Sequence, residues 1–336
     1  MRLATYNVEW FNALFDDAGK LLRNNGWSAR YNVTRQQQAD ALGTVFRRLD
    51  ADAVLVVEAP DTSGSRSTDA CLKAFARHYD LRLNSVLTGF MSETQQEIAL
   101  FYDNKVVTAE HNPGGGPGLA PRFDTHFAWD VDVDGKPDNH RFSKPPLEAQ
   151  IKFGGRTVNL LGVHIKSKAP HGARSEDHAV QISIANRRKQ LAQCLWLRQR
   201  VDERLAASED VIVLGDFNDG PGLDEYEALF GRSGVEIVLG RGNGGPALFD
   251  PHAAARLDPR QSWSPSTARF YNRDQKIYLN ALLDFVMLSQ DLRQAWQPVW
   301  KIWHPFDDAT CFEDPDFSRA LLTASDHFPV TLDVSL

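Results

Sequence analysis

The chain has 336 residues, of which 42% are hydrophobic, enough apolar material for a sizeable core and too much for a disordered polymer. A net charge of -7 excludes a protein that coats nucleic acid by bulk attraction, because non-specific affinity comes from neutralised phosphates. The three cysteines, Cys71, Cys194 and Cys311, are too widely spaced for a disulfide framework or a zinc site, so reduced, buried thiols are expected.

Met1-Arg2 leads straight into an apolar strand, Leu3–Val8, with no charged-then-apolar leader ahead of it. No apolar run reaches the ~20 residues that a spanning helix needs. A cytoplasmic protein is expected, or a secreted one if a leader has been trimmed. Thr34 can cap a helix whose Ala39, Leu42, Val45, Phe46 and Leu49 recur at helical spacing. Strands follow at Ala53–Val57, Ile98–Tyr102, Leu147–Phe153 and Val158–Ile165, rich in β-branched and aromatic residues. Between them, the Gly-rich Asn112–Pro121 is too short for a linker and reads as a loop over one end of a sheet. Val131-Asp132-Val133-Asp134-Gly135 alternates and carries Asp-Gly, a hairpin signal. Asp132, Asp134 and Asp138 also suggest a calcium loop, but the closing Glu of that pattern is missing.

A long helix is expected from about His178 to Leu205, with Ile182, Ala185, Leu191, Leu195 and Leu197 inward. Its Arg187, Arg188, Lys189, Arg198 and Arg204 are placed outward, as a solvated face or a nucleic-acid-binding one. Strands at Val211–Leu214, Leu283–Leu288, Gln297–Ile302 and Phe328–Val334 complete the chain. Strands and helices mixed in no strict βαβ rhythm, with no linker and no internal repeat, predict one α/β domain over residues 1–336. The expected architecture is a mixed-sheet sandwich with helices outside.

Polar groups gather where the apolar runs stop. Asn7, Glu58, Asp216, Asn218 and Asp326 each end or precede a strand. Taken alone, Asn7 could cap a turn and Glu58 could sit on a solvated strand end. As a set they are hard oxygen donors, which is what Mg²⁺ or Mn²⁺ requires. His164 stands where a strand meets the basic loop Ile165-Lys166-Ser167-Lys168, and alone it is as readily structural. His327 beside Asp326, with Asp284 opening another strand, suggests a His–Asp pair in which a carboxylate fixes the imidazole and favours its protonated form.

Six blocks carry a family resemblance: Thr5-Tyr6-Asn7-Val8-Glu9-Trp10, Glu58 after Val56-Val57, His164-Ile165-Lys166-Ser167-Lys168, Gly215-Asp216-Phe217-Asn218-Asp219, Leu283-Asp284-Phe285-Val286, and Ser325-Asp326-His327-Phe328-Pro329-Val330. In this order the chain resembles the endonuclease/exonuclease/phosphatase superfamily, which includes pancreatic-type DNases, exonuclease III-like enzymes, neutral sphingomyelinases and inositol-polyphosphate 5-phosphatases. The blocks look most like bacterial DNase-type members.

The resemblance implies a four-layer α/β sandwich of two packed mixed sheets flanked by helices, as in DNase I. It implies that Asn7, Glu58 and Asp326 surround a divalent metal, Mg²⁺ or Mn²⁺, with Ca²⁺ possible. By the same resemblance Asp216 orients or deprotonates the attacking water, and Asn218 and His164 hold phosphate oxygens. His327, paired with Asp284, would contact phosphate or act in acid–base chemistry. Where many relatives carry an Arg that grips phosphate, this chain has Lys144, with Arg141 nearby and Lys166 in the basic loop. Glu97 is a candidate partner for His164, as an acid is in the DNase branch.

The implied activity is metal-dependent hydrolysis of a phosphodiester by in-line attack of water, on DNA or RNA, by a monomer without a membrane span. The alternative keeps the chemistry on a small phosphoester, such as a phospholipid headgroup, a sugar phosphate or a nucleotide. The acidic net charge and the lack of a visible aromatic strip near the basic residues favour that alternative. Trp10, Phe11, Trp27 and Trp263 could line a pocket in either case, and segments Asn112–His140, Lys168–His178 and Phe306–Phe317 are expected to form its rim.

Overall fold

The computed structural model describes residues 1–131, 135–153, 155–220, 231–241, 245–258, 260–261, 264–272 and 276–335. Two mixed sheets face each other. Sheet one runs in the order β14 (Val299–Ile302), β15 (Val330–Asp333), β1 (Arg2–Asn7), β2 (Ala53–Pro60), β4 (Gln96–Tyr102) and β3 (Ser85–Thr88). Sheet two runs β13 (Asp284–Leu288), β10 (Val211–Asp216), β9 (Arg156–His164), β8 (Leu147–Phe153) and β5 (Thr108–His111). In each sheet one central pair is parallel, β1 with β2 and β9 with β10, and the other pairs are antiparallel.

Both faces of the central strands are covered, which is why they read as unbroken apolar runs rather than as alternation. In β2, Ala53, Leu55 and Val57 pack between the sheets against residues such as Ile151, Leu160 and Leu214. Val54 and Val56 point the other way, onto helices α1 (Arg35–Leu49) and α2 (Thr68–Tyr79) through Leu42, Phe46 and Phe75. On sheet two, Leu161, Val163 and Val213 meet Trp196, Leu197 and Val201 of helix α3 (Glu176–Ala206). Helix, sheet, sheet and helix therefore stack in four layers, as expected. The sheets close tightly at Gly162, where a Cβ would fall 2.4 Å from Leu55 Cδ1.

Local sequence accounts for the helix starts. Thr34 accepts from the Gln37 amide at 3.2 Å while the Gln37 side chain accepts from the Thr34 amide at 2.9 Å, closing a capping box. Helix α3 begins at Ser175, whose hydroxyl accepts from the His178 amide at 3.2 Å.

Its faces differ from expectation. Arg188 and Lys189 are exposed, but Arg187 and Arg198 are buried, whereas Ala185 is exposed and Ile182 only half-buried. Arg187 turns inward because Asp219 waits there at 2.7 Å, and Arg198 because the carbonyls of Val238 and Pro246 accept from it. A buried guanidinium needs such partners. The basic face proposed for nucleic acid therefore loses Arg187.

Strand β6 (Phe127–Trp129) pairs antiparallel with β7 (Asp138–His140), in line with the hairpin signal. Asp132 and Asp134, the other acids of the calcium alternative, lie outside the described residues, as does Trp263. A second ribbon joins β11 (Ala268–Asn272) to β12 (Ile277–Ala281). Neither this ribbon nor β3 and β5 was visible in the sequence pattern. All three cysteines are free and buried. No helix among the described residues is long and apolar enough to cross a membrane.

Candidate functional site

The polar strand ends converge at one edge of the sandwich. Register places His164, Asp216 and Asp284 side by side across β9, β10 and β13. Across the sandwich Asn7 ends β1, Glu58 interrupts β2, and Asp326 and His327 lie in the turn before β15. A cleft of about 600 Å³ opens there, lined by Asn7, Glu58, Lys144, His164, Lys166, Asp216, Asn218, Asp326 and His327.

Backbone irregularities aim these groups. Glu58 occupies a bulge between Val57 and Ala59 in the β2–β4 ladder, at φ 64°. The bulge turns its side chain out of the sheet's alternation and into the cleft, where the Trp10 amide donates to it at 2.7 Å. Glu9, Trp10 and Asn218, also on the cleft, hold positive φ as well. Strain of this kind persists only where surrounding contacts impose it. Here buried Gln38 of α1 donates to the carbonyls of Glu9 and Ala324 at 2.9 and 3.1 Å. Gly215, at φ 134°, lets β10 lie against β9, because a Cβ would sit 2.1 Å from the Val163 carbonyl oxygen.

Asp216 is the centre. Its Oδ2 accepts from Asn7 Nδ2 at 3.0 Å and Asn218 Nδ2 at 3.2 Å, and its Oδ1 from the Asn218 amide at 2.7 Å. Its side chain is 1% exposed, and burial pushes the carboxyl up to about 7 against the opposing pull of His327. The second proton on Asn218 Nδ2 goes to the Ile165 carbonyl at 3.1 Å, so Asn218 holds Asp216 and spans two loops rather than pointing at open space.

Two histidines flank Asp216 Oδ2, His164 Nε2 at 3.7 Å and His327 Nε2 at 3.9 Å. They sit in opposite electrostatic settings. Burial holds His164 well below the usual imidazole range, helped by the charges of Lys144, His327 and Lys166. Lys144 Nζ lies 3.2 Å from Nδ1 and 3.4 Å from Nε2 of that ring, and its charge adds to the burial that favours a neutral His164. His327 instead bonds Asp284 Oδ2 through Nδ1 at 2.8 Å. Burial alone would lower it, but Asp284 and Asp216 outweigh burial and hold it well above the usual range. Environments that push two like groups apart in this way separate acid from base.

The acids facing the cleft outnumber nearby cations. Glu9 is pushed up to about 7 by burial and by Asp326, despite an ion pair with Arg30, and burial raises Glu58. Asp216, Asp284 and His327 also bring potential ligand atoms within 4.8 Å of one another.

Other expected residues are placed as follows. Arg141 pairs with exposed Glu93 and does not line the cleft. Glu97 does not pair with His164: its carboxylate accepts from the Ser92 amide at 2.9 Å, and the acid nearest His164 besides Asp216 is Glu58, at 3.9 Å. The bulge brings Glu58, rather than the expected Glu97, beside His164. Trp10 lines the cleft, whereas Phe11 is buried in the core and Trp27 is exposed away from it. Among the described residues of the expected rim segments only His171 contributes to this cleft, and Thr94, Gln95, Gln96, Ser143, Ser167 and Gln193 are also on its edge.

Sequence reasoning missed a supporting network. Asp219, fully buried, accepts from Lys168, Arg187 and the Gly234 amide at 2.9, 2.7 and 2.6 Å. Gln190 donates to the carbonyls of Lys166 and Asn218, and Gln193 accepts from the Lys166 amide. Helix α3 thus fixes both loops that follow β9 and β10. The only sequence signal for it was the second acid of Gly215-Asp216-Phe217-Asn218-Asp219.

Comparison with known proteins agrees with this geometry. The model of the endonuclease/exonuclease/phosphatase family matches residues 4–327. Truncated TDP2 from Caenorhabditis elegans is similar in structure at 15% identity and a TM-score of 0.51, over 98% of this chain and 96% of that one. An endonuclease/exonuclease/phosphatase family protein from Leptotrichia buccalis gives 14% and 0.50 over 100% of both chains. One from Bacteroides vulgatus gives 13% and 0.50 over 99% of this chain and 98% of that one. At such identities the likeness is one of fold. Among curated proteins none matches.

Proposed function

Because the chain belongs to the endonuclease/exonuclease/phosphatase family, whose members are divalent-metal-dependent phosphoric ester hydrolases, we propose that it is a phosphodiesterase that cuts nucleic acid, with residues 1–336 acting as one catalytic domain. The observation that carries this reading is a buried carboxylate, Asp216, set between a neutral and a protonated imidazole on an open cleft.

The donors present fit a hard divalent cation. Glu58 and Asp326 are carboxylates facing the cleft, and Asn7 offers an amide oxygen beside them. Burial raises Glu9, Glu58 and Asp216, with Asp326 adding to the rise of Glu9 and Glu58, and a bound cation would favour their charged forms. The Asp216–Asp284–His327 group suits an ion less well, because a ligating histidine must be neutral and His327 is held protonated by Asp284. We therefore assign Mg²⁺ or Mn²⁺ to Asn7, Glu58 and Asp326. Bound there, the ion supplies Lewis acidity at a phosphoryl oxygen.

This chain's own groups do the rest. Asp216, with a proton affinity near neutrality, orients water and accepts its proton as the oxygen–phosphorus bond forms. His164 and the ammonium groups of Lys144 and Lys166 meet the non-bridging oxygens, where charge is stabilised by donors already in place. His327 gives its Nε2 proton to the leaving oxygen as the opposite bond breaks, and Asp284 keeps the ring oriented. Asn7 and Asn218 hold Asp216 in aim.

A substrate panel tests the reading: plasmid DNA, single strands, RNA, sphingomyelin, bis-p-nitrophenyl phosphate and p-nitrophenyl phosphate, each with Mg²⁺, Mn²⁺, Ca²⁺ or excess EDTA. Cleavage of nucleic acid and of the bis-ester, abolished by EDTA, is expected. Full activity in EDTA would end the metal assignment, and turnover of small esters alone would end the nuclease one.

A further inference from the structure

A second cleft of about 550 Å³ adjoins the first, and Glu9 and Asp326 line both. Its far side is the β11–β12 ribbon, which starts at the catalytic turn: Ala268 bridges to His327, and the Arg269 amide donates to the Asp326 carbonyl at 2.7 Å. The ribbon is two-stranded, and only Ala268 and Ala281 at its base, with Leu283, form a buried cluster. Yet it carries Phe270, Tyr271 and Tyr278 at 39, 50 and 57% exposure, with Tyr31 exposed on the same cleft. A two-stranded ribbon is marginal in water, and the cross-strand ring pair that helps hold it still leaves these large rings exposed outside any core.

Their arrangement suits flat ligands. Tyr271 and Tyr278 lie opposite each other in register with centroids 5.2 Å apart and planes tilted by 60°, so neither ring covers the other's face. The Arg269 guanidinium stacks 4.3 Å above Tyr278 and 5.1 Å from Phe306. The strip that seemed absent from the sequence, aromatic rings next to a basic residue, is thus present one residue from the proposed metal ligand Asp326.

We propose that this second cleft is a stacking subsite for an unpaired base of a single-stranded nucleic acid whose scissile phosphate lies in the first. The proposal rests on the phosphodiesterase reading and names the substrate form. Stacking tolerates any sequence because every base has a π-face, and at this cleft it is supplied by rings rather than by the overall charge of a chain at -7. A duplex keeps its base faces covered and is held through many phosphate contacts. Among the described residues, the arginines on this cleft are already engaged, Arg269 on rings and Arg30 with Glu9.

The test measures binding of a labelled ten-nucleotide single strand, the corresponding blunt duplex and sphingomyelin–phosphatidylcholine vesicles to the full chain in excess EDTA. Tyr271→Ala and Tyr278→Ala should each weaken single-strand binding by about tenfold, and Tyr271→Phe should retain it because the ring face survives. The wild type should bind the duplex more weakly than the single strand. Unchanged single-strand affinity in both alanine variants would overturn the proposal. So would loss of vesicle binding with oligonucleotide affinity intact, which would make the ribbon a lipid contact. Hydrolysis of bis-p-nitrophenyl phosphate by the wild type with Mn²⁺ reads the catalytic assignment separately: its failure removes that assignment, while the binding data still decide the subsite.

Discussion

In sheet one the antiparallel β15 and the parallel pair β1 and β2 bring Asp326, Asn7 and Glu58 to the cleft. In sheet two the antiparallel β13 and the parallel pair β10 and β9 bring Asp284, Asp216 and His164 to the same edge. The strand arrangement is the same and the access differs. Glu58 and Asp326 keep part of their surface on the cleft, Glu58 at 13% side-chain exposure, whereas Asp216 and Asp284 are each 1% exposed. Burial raises Glu58 as well as Asp216, so the contrast lies in access from the cleft rather than in burial alone. In the proposed mechanism sheet one presents the metal-holding acids and sheet two the proton-handling one.

Breaking the proton side should have the largest effect. Asp216→Asn keeps shape and loses the basic oxygen, so kcat should fall on the order of a hundredfold or more with KM nearly unchanged. A metal titration of that variant sharpens the contrast: strong rescue by Mg²⁺ or Mn²⁺ would move Asp216 into the ligand set and erase the distinction. Glu58→Gln is the counterpart on sheet one. It should raise the metal concentration for half-maximal activity by roughly tenfold or more while barely moving the melting temperature. A variant with normal metal demand would place the ion elsewhere. Asp284→Asn comes next, with kcat lower by about tenfold and metal demand unaltered, since the loss is of ring orientation at His327. Altered metal demand there would favour the buried Asp–Asp–His group as the ion site.

The smallest effect is a control for burial itself. Glu97 lies on β4 of sheet one, and burial pushes it up to about 7, with Asp61 adding to the rise, just as burial pushes up Asp216; yet it does not face the cleft. The folded state therefore holds its proton more tightly than the unfolded chain does. The stability this supplies is complete below the ordinary carboxylate range and is lost as pH climbs to about 7. Glu97→Gln should flatten the fall in stability between pH 5 and 8 by on the order of 2 kcal/mol. Chemical denaturation at the two pH values checks it, and an unflattened profile would show that burial alone does not set these carboxyls.

Much of this was legible because strand and site are written together. An apolar run that stops at Asp, Asn or Glu marks both a buried strand and a polar group held at its end, as in Val211-Ile212-Val213-Leu214-Gly215-Asp216. The pairing of His327 with Asp284 followed from the same reading. What stayed hidden depends on distant partners. Arg187 looks like one more surface base until Asp219 is found beside it. Glu58 rather than Glu97 stands beside His164 because of a one-residue bulge in β2, which leaves no mark in composition. The ribbon of Phe270, Tyr271 and Tyr278 lacks the covered face that makes alternation visible, so its strands read as loop.

Ser325 joins the beginning of the site to its end. Its hydroxyl donates to the Asn7 carbonyl at 2.8 Å and accepts from the His327 amide at 3.0 Å, and β15 then inserts between β14 and β1. During synthesis Asn7 leaves the ribosome early and waits for a partner 318 residues away. Until that partner arrives, the β1 edge that β15 covers is open. A chain cut short before Ser325 also lacks Asp326 and His327, so on the proposed mechanism it has neither a full set of metal ligands nor a proton donor for the leaving oxygen.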